Sequence, residues 1–117
     1  MKKVRVILSE EAVAAYDQLE ENAPGSKKDR SIFNGITKKT GQIKINPHYG
    51  EPISKKIIPI KYKELFGITN LFWVSLPSFW RMLYTLTQGK SSDEIIAFIV
   101  DIIDHNEYDK IFGYKKK

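Results

Sequence analysis

Arg81 is the one charged side chain in the run Leu71-Phe-Trp-Val-Ser-Leu-Pro-Ser-Phe-Trp-Arg-Met-Leu-Tyr-Thr-Leu86. A guanidinium stays charged at any physiological pH, and its planar fork of N–H groups matches two oxygens of a phosphate. A strand arginine more commonly faces solvent or pairs with a carboxylate, so its neighbours decide its use. Seven lysines (Lys38, Lys39, Lys44, Lys55, Lys56, Lys61 and Lys63) lie between positions 38 and 63 against the single acid Glu51. The net charge of +5 is therefore concentrated in that stretch, as suits a polyanionic partner. A solvated lysine-rich face has the same composition. His48 and His105 are the only histidines, and Tyr108 and Tyr114 follow the second of them.

These residue types fit a phosphodiester. Cleaving RNA without a metal requires removal of the 2′-hydroxyl proton, stabilisation of charge on the phosphoryl oxygens, and a proton for the departing 5′-oxygen. Arginine and lysine meet the second need; histidine, tyrosine or a lysine of lowered pKa meets the other two. Trp73, Trp80 and Tyr84 offer ring faces on which bases stack, although such aromatics also fill cores. Other chemistries are excluded. There is no glycine-rich phosphate loop, no His-Glu-x-x-His, and no cysteine or histidine pair at metal-ligand spacing. No cofactor is called for. With no cysteine, disulfides and thiolate metal sites are ruled out, which fits a reducing cytoplasm.

The 117 residues, 42% apolar and 28% charged, predict one soluble domain spanning 1–117. The apolar run near the start is too short for a signal peptide, and Pro77, Asp101 and Asp104 interrupt the longest greasy stretches, so no membrane segment is expected. Lys3 to Leu8 reads as a strand. Ser9 before Glu10 and Glu11 reads as a helix N-cap with acids in the first turn, and Val13, Tyr16 and Leu19 form its apolar stripe. Pro24-Gly25-Ser26 ends that helix. A second runs from about Lys28 to Lys39 with Ile32, Phe33 and Ile36 inward, weakened by Gly35 and Gly41. Asn46-Pro-His-Tyr-Gly50 is a turn. Ile53 to Tyr62 reads as extended, and Pro59 makes it an edge or irregular strand. Leu71–Leu76 and Phe79–Leu86 are paired strands joined tightly through Leu76-Pro77-Ser78. Glu94 to Ile103 has both a capping box with helical spacing and the β-branched run of a strand buried on two faces. A short helix over about Asn106 to Phe112 follows. This order implies an α+β fold with two helices on one face of an antiparallel sheet.

Three segments together resemble the RelE/ParE superfamily of type II toxin–antitoxin toxins. They are Asn46-Pro-His-Tyr-Gly50; Asn70-Leu-Phe-Trp-Val-Ser-Leu with Trp80-Arg-Met-Leu-Tyr84; and Ile103-Asp-His-Asn-Glu-Tyr108 with Phe112-Gly-Tyr114. The resemblance implies an N-terminal strand, a helical hairpin, then a twisted antiparallel sheet and a short C-terminal helix. It makes Glu94–Ile103 a strand. It further implies a cytoplasmic toxin held by a cognate antitoxin protein, acting as a metal-independent endoribonuclease on mRNA at the ribosome. The alternative within the superfamily is a ParE-like gyrase inhibitor, or a member that only binds its antitoxin. Arg81 matches the arginine assigned to the phosphate, and His105 matches the basic position after the last strand. Tyr108 and Tyr114 compete for the closing tyrosine. Lys55, Lys56, Lys61 and Lys63 lie where ribonuclease members place RNA-binding cations. Trp73 stands where the first strand motif normally has an arginine, leaving it to stack on a base or to fill the core.

Overall fold

Ser9 does two jobs at the first strand-to-helix junction. Its Oγ accepts from the Ala12 N–H at 3.1 Å, capping the helix, and donates to the Val100 carbonyl at 2.8 Å. The computed structural model describes residues 2–113. Within them, β1 (Lys3–Leu8) leads into α1 (Glu10–Asn22) and α2 (Lys27–Ile45). Then come β2 (Glu51–Pro52), a 3₁₀ turn at Lys55–Ile57, α3 (Ile60–Phe66), β3 (Phe72–Leu76) and a second 3₁₀ turn at Pro77–Phe79. β4 (Trp80–Gln88), β5 (Glu94–Asp104) and α4 (His105–Phe112) complete the order.

The strands form one sheet in the order β1-β5-β4-β3-β2. It is antiparallel except at one edge, where β1 runs parallel to β5 with Lys3 opposite Glu94. The architecture is α+β. On one face Phe72, Val74, Met82, Tyr84, Ile99 and Ile102 pack against Ala12 and Leu19 of α1 and Ile32, Ile36 and Ile43 of α2. On the other, Leu71, Leu83, Val100 and Ile103 meet Tyr62 of α3 and Tyr108 of α4. β5 is therefore buried on both sides, which accounts for its unbroken β-branched run. Its strand conformation is the one the resemblance implied. The Ser91-x-x-Glu94 pattern instead shapes a turn, with the Glu94 N–H donating to the Ser91 carbonyl at 3.1 Å.

Three local expectations are corrected. The α1 stripe is carried by Ala12, Tyr16 and Leu19, while Val13 is exposed. α2 continues through Gly35 and Gly41 to Ile45. Gly35 is there for space: a Cβ would lie 2.7 Å from Pro77 Cδ, so the β3–β4 connection seats directly on the helix backbone. Ile53–Tyr62 is not a strand beyond β2. Pro59, at φ −58°, occupies the N-cap of α3, where its missing N–H costs no hydrogen bond, and the Tyr62 and Lys63 N–H groups donate to its carbonyl. Gly67, at φ +62°, closes the helix, its N–H donating to the Lys63 carbonyl.

Two buried phenols fix the segments that flank the sheet. The Tyr84 hydroxyl donates to the Pro47 carbonyl and accepts from the Gly50 N–H, both at 2.8 Å. A side chain at Gly50 would collide with that ring. Asn46 Oδ1 accepts from the His48 N–H at 3.1 Å, and the His48 ring rests edge-on against Phe72. The Asn-Pro-His-Tyr-Gly motif is thus a clamp around the tip of Tyr84. On the opposite face, Tyr62 donates to Asp101 Oδ2 at 2.8 Å, tying α3 to β5. Burial, and secondarily the Asp101 charge, push the Tyr62 phenol far above its ordinary range. Burial also raises the Asp101 carboxyl above its ordinary 3.8, opposed by the bond from Tyr62.

Tyr84→Phe should lower stability by about 1–3 kcal/mol, because it leaves the buried Gly50 N–H and the Pro47 carbonyl without their partner. Urea unfolding should show a lower midpoint with an unchanged slope; an unchanged midpoint would mean that other contacts hold the turn. Asp101 gives a pH signature. Its folded pKa lies above the unfolded value, so its stabilising contribution is complete below pH 3.8 and lost as pH rises through the raised value. Asp101→Asn keeps an acceptor for Tyr62 without that titration. Its stability relative to the parent should grow as pH rises from 3.8, and parallel curves would show that the carboxyl is ionised normally.

Candidate phosphate and nucleic-acid site

β3 and β4 pair with Ser75 opposite Arg81 and Trp73 opposite Leu83, so Trp73 is the diagonal cross-strand neighbour of Arg81. Alternation along β4 sends Met82 and Tyr84 toward α1 and α2, and Arg81 and Leu83 to the other face. There the Arg81 guanidinium lies over the Trp73 ring at 4.2 Å and over the Tyr108 ring at 4.3 Å. Tyr108 comes from α4, begun by Asp104, whose Oδ1 accepts from the Glu107 N–H at 2.9 Å. The Tyr108 ring also stacks on Phe112 at 4.2 Å. Two aromatic faces from two elements therefore hold one half-buried cation.

Among the described residues no carboxylate pairs with Arg81; the ion pair present is Arg5 with Glu94, at the far edge of the sheet. Ring contact suits arginine because the faces of the guanidinium are weakly hydrated while its N–H groups lie in its plane. Held this way, the fork keeps its donors for an incoming oxyanion. Arg81 opens onto a groove of about 370 Å³ shared with Trp73, Ser75, Ser78, Phe79 and His105. His105 is exposed, the first residue of α4, and its ring meets Phe79 edge-on at 5.9 Å. Beyond Trp73 and Ser75 a second groove, of about 190 Å³, continues to Lys39, Tyr49 and Glu51. The Lys39 ammonium donates to the Tyr49 hydroxyl at 3.3 Å and lies 5.4 Å from the centre of its ring.

Arg81, Trp73, His105 and Tyr108 are thus brought together, although they come from three elements. Lys55, Lys56, Lys61 and Lys63 are all exposed, but on the 3₁₀ turn and α3, and they line neither groove. Tyr114 lies outside the described residues. One face of Trp73 is already engaged by Arg81. Phe79, Ser75 and Tyr49 were not anticipated. An aromatic directly after Pro-Ser in a tight connection was the available signal for Phe79, and the turn motif was the signal for Tyr49. Among the described residues, no three His, Asp or Glu side chains cluster as a metal site.

The ring contact with Trp73 is measurable. A double-mutant cycle of Trp73→Leu and Arg81→Met should give a coupling of about 0.5–2 kcal/mol in folding stability. A coupling indistinguishable from zero would mean that the two side chains do not hold each other in solution.

No protein-family model matches the chain, and no curated protein matches it. Among solved structures, the E. coli toxin RelE, as a variant with two arginines replaced by alanine and in the free state, is similar at a TM-score of 0.50 and 15% identity. The match covers 97% of this chain and 94% of that one. No helix among the described residues is long and apolar enough to cross a membrane. An α+β order of strand, helical hairpin, sheet and terminal helix, matched over nearly its whole length, gives this chain a RelE-like fold.

Proposed function

We propose that the chain is the toxin of a type II toxin–antitoxin system and cleaves mRNA on the ribosome. The observation that carries this reading is a guanidinium that, among the described residues, has no carboxylate partner, cradled by Trp73 and Tyr108 and opening onto a groove that also holds His105. The fold match to a toxin supports it.

In this mechanism Arg81 donates two parallel hydrogen bonds to the non-bridging oxygens of the scissile phosphate. Those bonds strengthen as charge builds in the phosphorane. His105 takes the proton of the 2′-hydroxyl, whose oxygen attacks phosphorus in line. The bond to the 5′-oxygen breaks, leaving a 2′,3′-cyclic phosphate on one fragment. The departing oxygen takes a proton from a tyrosine, for which Tyr114 is our candidate. Tyr108, 6% exposed with its ring between Arg81 and Phe112, is better suited to holding the guanidinium than to meeting a sugar. The exposed lysines Lys55, Lys56, Lys61 and Lys63 offer long-range attraction to ribosomal RNA. A cognate antitoxin protein is the expected neutralising partner, and the site of action is cytoplasmic.

Expression without an antitoxin should arrest translation and yield transcripts cut within reading frames. Arg81→Ala should reduce cleavage by about 10²–10³, the scale of one oxyanion donor. Arg81→Lys should restore little, because an ammonium lacks the fork. His105→Ala should cost about 10²–10⁴. Intact transcripts alongside a DNA-damage response would replace this reading with gyrase inhibition. Full toxicity of Arg81→Ala would remove the guanidinium from the mechanism.

A further inference from the structure

The connection between β3 and β4 holds its aromatic residue at a conformational cost. Ser78 and Phe79 are consecutive and both left-handed, at φ +61° and +63°. That region is sparsely open to side chains in general and is an outlier for a bulky one. Burial does not repay it, since Phe79 is 80% exposed. The turn is nonetheless firmly placed, because Pro77 sits against the bare backbone of Gly35 in α2. The loop thus presents the ring to solvent from a fixed turn, with His105 edge-on against it.

We infer that Phe79 is the base platform of the groove: one nucleobase of a single-stranded RNA stacks on its ring while the adjoining phosphate is held by Arg81. This rests on the ribonuclease reading and names what that reading lacks, a contact to the base. Phe79 and Arg81 are two residues apart, at most about 7 Å of chain, so a ring and a fork stand within the span of one nucleotide. Their exposed companions in the groove are Ser75, Ser78 and His105. The groove is mostly apolar, with Trp73, Leu76 and Trp80 beside the ring together with the hydroxyls of Ser75 and Ser78 and the Arg81 guanidinium, a lining that takes the face of a base and the oxygens of its phosphate. Trp73, the aromatic that the sequence favoured for stacking, has a face committed to Arg81, whereas Phe79 meets only the edge contact of His105 among the ring contacts of the described residues.

The test uses the full chain and short fluorescent 2′-O-methyl oligonucleotides, which bind without being cut, in an oligo(A) and an oligo(U) series. Stacking is stronger for purines, so the parent should bind oligo(A) more tightly. Phe79→Gly should weaken oligo(A) binding by about fivefold to a hundredfold, abolish the preference over oligo(U), and leave the salt dependence unchanged. Its melting temperature should equal or exceed the parent's, since glycine relieves the positive φ. Phe79→Asn, which also tolerates left-handed backbone, should behave alike and guards against a folding artefact of one variant. Phe79→Trp should keep the preference. Arg81→Ala should weaken both oligonucleotides equally and lower the salt slope by about one.

If Arg81→Ala weakens binding but Phe79→Gly leaves the oligo(A) preference intact, the groove binds RNA and the platform assignment is wrong. If the parent binds neither oligonucleotide in an Arg81-dependent way, the groove is not a base-and-phosphate site and this inference is overturned, while transcript mapping decides the ribonuclease reading separately. Self-association of the parent that Phe79→Gly abolishes, with RNA binding unaltered, would make the ring a protein contact and overturn the proposal.

Discussion

The two-residue period of β4 is the constraint on which the rest depends. Its alternate side chains serve two cores, and a slip by one residue would bury Arg81 under α1 and α2 while turning Met82 outward. Polar contacts on both sides of the strand forbid that slip. Tyr84 is gripped by Pro47 and Gly50. In the segment leading into β3, Asn70 Oδ1 accepts from the Leu86 N–H and the Thr85 hydroxyl, while its side-chain amide donates to the Leu86 carbonyl. These bonds are satisfied only in the observed register. The placement of one surface cation is thereby made a property of the whole sheet.

Electrostatics then explains the aromatic residue at position 73. Cross-strand diagonal neighbours are close enough for two arginines there to repel, whereas the face of an indole attracts a cation. Trp73 thus supports the cation without setting a second charge beside it. A carboxylate in the same place would have bound Arg81 more tightly but occupied its donors. Ring contacts orient the cation through its faces and not through the N–H groups in its plane, as an ion pair would.

The legible parts of the sequence were those governed by short-range rules. Ser9 and the acids behind it marked α1, and the paired aromatic runs marked β3 and β4. Period counting left Glu94–Ile103 open, because a strand covered on both faces and a buried helix offer the same apolar residues; family resemblance pointed to the strand. Residues 53–62 misled for a local reason, since Pro59 is equally at home on an edge strand and at a helix start. Gly35 read as a helix weakness because its justification, Pro77, is forty-two positions away. In the site, Arg81 and His105 were visible as residue types in place. Phe79 was hidden because its meaning lies in backbone angles, which composition does not encode.

The parallel pairing of β1 with β5 ties the beginning of the described chain to its last strand. Lys3 faces Glu94, and Ser9 donates to Val100 across 91 positions. Contacts of such separation must close large loops before they yield any stabilisation, so this pairing is slow to form compared with the helical hairpin. On a ribosome β1 has no partner until residues 94–104 have emerged, and α4, which brings His105 and Tyr108 to Arg81, follows directly after them. The groove therefore assembles only once β5 and α4 are both available, after the helical hairpin and the β3–β4 pair have already been made.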